Sequence, residues 1–266
     1  MQMKYICLIC ILFHVSVDAQ INPGPRSLSM GSAGAAIQDV WALQQNPAGI
    51  AGIERPIFAI GYEQHFLDPE LSTQSAVFAL PFKQNVFGMS FQRYGFSEFM
   101  EQTAGFACAR SFGSTLAISI AFKFHQVQIP KYGSAHAFSV EAGMQYRLSE
   151  RIWIGSHISN PGRSQFEELS KSNIPVSMSL GIAGNFSDKV LIISDIQKVL
   201  YSGLNVKLGL EYKLIKWFSL RGGVSANPFK QYAGFGLHYH RFALDAAISS
   251  HPSLGLSPNL ALNYEF

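Results

Sequence analysis

Cysteine, charge and long apolar runs are all scarce in this chain. Its three cysteines are Cys7, Cys10 and Cys108, and the first two lie in a segment read below as a cleaved leader. The remaining chain keeps Cys108 alone, so no internal disulfide can staple it. Charged residues make up 14% against 48% hydrophobic ones. The net charge of +3 is small and its basic residues are scattered, which argues against a nucleic-acid partner. Beyond the leader no stretch approaches the roughly 18 consecutive apolar residues of a membrane-spanning helix. A chain this apolar without such a run has to bury or shield its hydrophobic groups in another way.

Residues 1–19 read as a secretory signal. Lys4 supplies the positive end, and Ile6 to Val17 is an apolar run within the ~7–15 residues of such leaders. Val17-Asp18-Ala19 offers a cleavage site, which places the start of the mature chain at Gln20. A lipid anchor on Cys10 is a poor reading, because Leu8 and Ile9 stand where small residues are needed.

What is abundant is alternation. Leu116, Ile118, Ile120, Phe122 and Phe124 interleave with Ala117, Ser119, Ala121, Lys123 and His125. Phe138, Val140, Ala142, Met144 and Tyr146 interleave with Ser139, Glu141, Gly143, Gln145 and Arg147. This period of two predicts strands. They fall near 56–65, 73–82, 86–94, 100–112, 115–127, 135–148, 151–160, 175–186, 190–198, 203–213, 217–226, 230–239, 241–249 and 257–266. Short links at 83–85, 112–114, 149–150, 187–189, 214–216 and 240 alternate with longer ones at 66–72, 95–99, 128–134, 161–174, 199–202, 227–229 and 250–256. Short turns on one side and longer loops on the other are the habit of outer-membrane barrels.

The parity of the charges sets which face is which. Lys123, Glu141, Arg147, Lys207, Glu211, Arg221, Asp245 and Glu265 all lie opposite the apolar set. A Lys or Arg facing lipid at mid-membrane costs about 2–4 kcal/mol. These residues are therefore expected in the lumen, paired into a charge network. The fold class is all-β: a 14-stranded antiparallel transmembrane barrel over 56–266, located in the bacterial outer membrane and in contact with its lipid. A soluble sandwich would need a core that the small and charged parity cannot supply. The last strand, with Leu262, Tyr264 and Phe266 on one face, has the form of a signal for the barrel-assembly machinery during insertion.

Residues 20–55 do not alternate. Gly31, Gly34 and Asp39 lie in a small-residue stretch, and Asn46-Pro47-Ala48 breaks the chain after a possible short helix over 35–45. The glycines lack the Lys-Ser or Lys-Thr of a phosphate loop.

These pieces, with Asp195-Ile-Gln-Lys198, Gly209-Leu-Glu-Tyr212, Leu220-Arg-Gly-Gly223 and Gly234-Phe-Gly236 in order, resemble the FadL superfamily and its PorV/PorQ branch. The resemblance implies a hatch over 20–55 inserted in the lumen, with Gly31, Gly34, Asp39, Asn46, Pro47 and Ala48 as hatch residues. For the branch it implies an accessory subunit of a protein export or assembly machine, holding a protein partner. For the superfamily it implies the alternative, a transporter of small hydrophobic molecules. A kinked strand beside the hatch would favour transport, and a sealed wall the export role.

Enzyme chemistry finds little footing, since no Gly-x-Ser-x-Gly elbow occurs. His238 and His240 read as turn or interfacial residues, with no metal and no cofactor expected, and His65 and His251 as solvated. Cys108 reads as a small apolar filler. Trp153, Trp217, Phe218, Tyr146, Tyr212 and Tyr264 read as an aromatic girdle on the short-turn side.

Overall fold

A computed structural model describes residues 22–166 and 173–266. The leader expected at 1–19, and part of the loop expected at 161–174, lie outside the described residues. Among the described residues fourteen strands form one closed antiparallel barrel in which β1 pairs with β14. They are β1 (Ile57–Gln64), β2 (Ser72–Phe82), β3 (Asn85–Phe96), β4 (Phe99–Phe112), β5 (Leu116–Ile129), β6 (Gly133–Arg147) and β7 (Ile152–Ser159). Then come β8 (Ser177–Asn185), β9 (Val190–Val199), β10 (Leu204–Ile215), β11 (Phe218–Ala226), β12 (Phe229–Tyr239), β13 (Phe242–His251) and β14 (Gly255–Glu265).

The faces are inverted relative to a water-soluble protein. Phe122 and Leu180 are 56% and 58% exposed, while Lys123 and Glu141 are 4% and 2% exposed. Leu208, Leu220, Leu260 and Phe91 likewise point outward all round the ring. A continuous apolar belt of this kind is unstable in water and stable against acyl chains. Closure leaves no strand edge, so each strand meets a hydrogen-bonding neighbour on both sides.

The expected strand order holds throughout, and every end agrees to within two residues. The outer links differ more. β3 and β4 run on until only residues 97–98 separate them, β5 and β6 until 130–132, and β13 and β14 until 252–254. Residues such as Gln126, Gln128 and Ser134 are too polar to face acyl chains, yet their backbones still pair. The ladder thus continues beyond the apolar belt, where side-chain parity no longer marks it.

The helix expected over 35–45 is reduced to a 3₁₀ turn in its second half. An α-helix, α1, runs instead over Pro25–Ser29, where Pro25 sets the first turn. Further on, two 3₁₀ turns cover Val40–Gln44 and Pro47–Ile50. Asp39 caps the first by accepting from the Ala42 N–H, and Asn46 caps the second through Ala48. The N–H groups of Gly34 and Ala35 are given to Asp195 on β9.

Replacing Leu180 with Arg is expected to destabilise the vesicle-folded barrel by about 2–4 kcal/mol. Gln197→Arg, on the inward parity, is expected to change it little. Urea unfolding from lipid vesicles reads both, and equal losses would contradict the assigned faces.

Candidate functional site

The small residues of the inward parity leave a wide lumen, and residues 22–55 fill it. Trp41, Leu43 and Ile50 pack on Ala59, Val77, Ala79, Val86, Ala107 and Ala109 of the wall. Met30, Ala33, Ala36 and Ile37 pack on Ala183 and Ile193. The segment presents the bulk and the wall presents the room. At several places even a methyl group would not fit: a Cβ on Gly155 would strike the Ala35 carbonyl, one on Gly209 the Met30 backbone, and one on Gly223 the backbone of Met30 and Gly31.

Polar anchors fix the segment in place. Glu211 on β10 accepts from Arg221 on β11 at 2.6 Å and from Arg26 of α1 at 3.0 and 3.1 Å. Arg221 also donates to Asp245 on β13 at 2.6 Å. That reach skips β12, where a side chain at Gly236 would collide with both partners. Asn263 donates to Asp245 at 3.0 Å and accepts from the Trp41 indole at 2.9 Å. Arg26 also meets Asp39 at 3.4 Å. Charges of alternating sign thus run from Asp39 through Arg26, Glu211 and Arg221 to Asp245. Each buried charge has an opposite neighbour, which is the condition for tolerating burial. The Glu211 carboxylate holds the Arg26 guanidinium well above its usual range, so it stays charged. Burial pushes the Asp39 carboxyl up, and Arg26 only partly opposes this.

A second set of anchors holds the turn at 32–37. Asp195 accepts from the Gly34 and Ala35 N–H groups at 2.7 and 2.9 Å. Lys207, its direct partner across the β9–β10 ladder, donates to the Ser32 carbonyl at 3.0 Å. Asn46 donates to the Ala35 carbonyl at 2.6 Å and to that of Met144 at 3.2 Å. Gln145 donates to the carbonyls of Ala35 and Ile37 at 3.1 and 2.9 Å. Pro47 and Ala48 lie buried in the second 3₁₀ turn, and Gly31 takes a positive φ of 76° beside the wall.

The expected lumen charges do not form one network. Glu211, Arg221 and Asp245 meet on β10–β13. Lys123 and Glu141 pair at 3.0 Å on β5 and β6, with His157 3.4 Å and Ser159 2.9 Å from Glu141. Lys207 joins Asp195 and the segment. Arg147 belongs to neither group: it sits at the short-turn rim, donating to the Glu150 carbonyl and covering the Trp153 ring. Glu265, at the same end, pairs with Arg55. Outward at that end, Tyr264 packs on Phe242 and Phe266, while Leu262 and Phe266 are exposed.

Several residues stand elsewhere than expected. Trp153 faces inward against the Met30 cluster, since the alternation of β7 puts it on the same side as Gly155 and His157. His65 is buried, with Thr73 at 2.7 Å and Glu63 at 3.7 Å. His251 accepts from the Ser253 and Leu254 N–H groups in its turn. Arg26, Asp195, Gln145 and Asn263 were not singled out as site residues from sequence. A signal for Arg26 was available, because it is the only basic residue between 20 and 54.

Two cavities lie on the short-turn side of the segment. One of about 220 Å³ is lined by Arg26, Ile37, Gln38, Trp153, Ala183 and Leu191. Another of about 670 Å³ is lined by Arg26, Asp39, Trp41, His238, Arg241, Phe242 and Asn263, with Gln38 shared. The wall beside the segment is continuous: β3 pairs in unbroken register with β2 and β4. A register shift occurs at Lys213/Ile215, near a short turn.

No protein-family model and no curated protein matches the chain. Solved structures do. The Pseudomonas putida toluene transporter TodX is 12% identical with a TM-score of 0.71, over 91% of this chain and 97% of that one. The Ralstonia pickettii toluene transporter TbuX is 14% identical with a TM-score of 0.69, over 91% and 98%. A Pseudomonas aeruginosa FadL homologue is 13% identical with a TM-score of 0.64, over 91% and 98%. At these identities the likeness is one of fold. The chain is a 14-stranded barrel of the bacterial outer membrane with the fold of FadL-type channels.

Arg221→Met leaves Glu211 and Asp245 short of a partner and is expected to cost about 3–5 kcal/mol of stability. Urea titration of the reconstituted barrel measures it, and a loss near zero would show that the charge chain carries no weight.

Proposed function

We propose that this protein is an outer-membrane channel for small molecules, with residues 22–55 as its gate. The observation that carries this reading is the construction of the lumen. A short segment divides the outer half from two cavities on the inner side, and it is held by individual polar anchors and not by strand pairing. The fold is shared with structures described as toluene transporters and a monoaromatic hydrocarbon channel. Those names favour small apolar molecules as the first solutes to test.

The export-subunit reading implied by the sequence motifs is less well supported. The turns at 97–98, 130–132, 227–228 and 252–254 are short, which leaves the link between β7 and β8 over 160–176 as the long outer loop a protein partner could grip. The continuous wall at β3 leans toward this reading.

Arg26 is the testing point. It ties the segment to Glu211 and sits at both cavities. In planar lipid bilayers Arg26→Ala is expected to open more often and to carry more current than the native protein. The heat-dependent gel shift of an intact barrel should be retained. Closed, native-like traces from the variant would contradict a gate at this position.

A further inference from the structure

The lumen above the gate is not lined evenly. On the arc from β1 to β6, inward side chains such as Thr73, Ser75, Gln92, Ser119 and Glu141 are buried. Along β8 to β10, Ser179, Gln197, Asn205 and Lys207 face inward and are partly exposed, as are Lys230 and Tyr232 on β12 and Thr103 and His125 on the opposite wall, while Ser225 on β11 is buried. A run of partly exposed polar groups thus leads along β8–β10 down to Ser32, which is itself partly exposed. The cavity of about 220 Å³ lies below, against Trp153, Ala183 and Leu191, on the same side of the ring. Only the turn at 32–36 stands between. On this side its wall anchors are Asp195 and Lys207, which face each other across one ladder, while Gln145 holds the Ala35 carbonyl from β6. Asp195 spends one carboxylate oxygen on Gly34 and Ala35, and the other, Oδ1, has no hydrogen-bond partner although the residue is 3% exposed.

We infer that solute crosses along the β8–β10 arc, past the Asp195–Lys207 pair, and that the solutes are small, neutral, water-soluble molecules bearing hydroxyl or amide groups. The inference rests on the channel reading and narrows its substrate class. A hydrocarbon entering this shaft would strip water from an ammonium, amides and hydroxyls and return no hydrogen bond. A hydroxylated solute can take over the places of those waters. An ion of either sign meets one like charge at the pair, while a neutral molecule meets none. The unpartnered Asp195 Oδ1 lies buried against Gly181 of β8, beside the turn that has to yield.

The experiment is osmotic swelling of proteoliposomes holding the full mature chain, with arabinose as the probe. Native protein is expected to admit arabinose faster than protein-free liposomes. Asp195→Ala, which releases Gly34 and Ala35, is expected to raise the rate several-fold, and Ser179→Trp, which fills the shaft, to lower it. Lys207→Gln serves as a second opening variant should Asp195→Ala fail to give the gel shift of a folded barrel. Arabinose rates no faster than protein-free controls for native and opened proteins would overturn the inference, as would indifference to Ser179→Trp. Uptake of labelled toluene by cells making the protein separates the two readings. Toluene entry without arabinose entry sinks this substrate class and leaves a channel, whereas entry of neither sinks both.

Discussion

Glu211 is shared between two guanidiniums, one on the wall and one on the chain that fills the lumen. This double acceptance is the contact on which the rest depends. A closed barrel of this girth cannot fill its own interior with wall side chains while those stay small. The wall leaves room, and the room has to be occupied by water or by protein. Here protein occupies it, and the occupant must be held without the repeating hydrogen bonds of a sheet. Buried charges of alternating sign, Asp39 to Asp245, supply the hold. Each member is tolerable only because its neighbours are present.

The same economy explains the composition. Alanine and glycine on the inward face are not a weak core; they are the complement of Trp41, Leu43, Met30 and Ile50. Glycine at 155 and 223 lets backbone approach backbone, and glycine at 236 lets Arg221 reach past a strand. Low charge follows too, since outward charges are penalised by lipid and inward ones need partners.

The barrel was legible in the sequence because lipid enforces parity. A strand such as β5 cannot place Lys123 among Phe122 and Phe124 on the outer face, so period two survives in plain view. Where strands leave the apolar belt the constraint lapses, and the extensions of β5 and β6 to a three-residue turn went unread. The lumen was less legible. Inward position could be assigned to Arg221 and Asp245, but whether they meet depends on the register of β11, β12 and β13. Arg147 shares their parity and lies at the rim, out of reach. Asp195 and Gln145 were harder still, since their partners are backbone groups of a segment without periodicity. Residues 35–45 looked helical by composition, and wall contacts override that preference.

The central claim, that residues 22–55 plug the barrel and regulate passage, can be tested with one disulfide. Ala35 and Gly181 lie side by side: a Cβ on Gly181 would stand 2.9 Å from that of Ala35, which the turn has to widen to the roughly 3.5–4.5 Å of a disulfide, and would press on Asp195 Oδ1, so Asp195→Ala accompanies the pair. Cysteines at both positions, in a Cys108→Ser background, are predicted to cross-link in native outer membranes. Bilayer currents are then predicted to be held shut under oxidising conditions and to return on reduction. Failure to cross-link, or currents indifferent to the redox state of a fully cross-linked sample, would contradict the account.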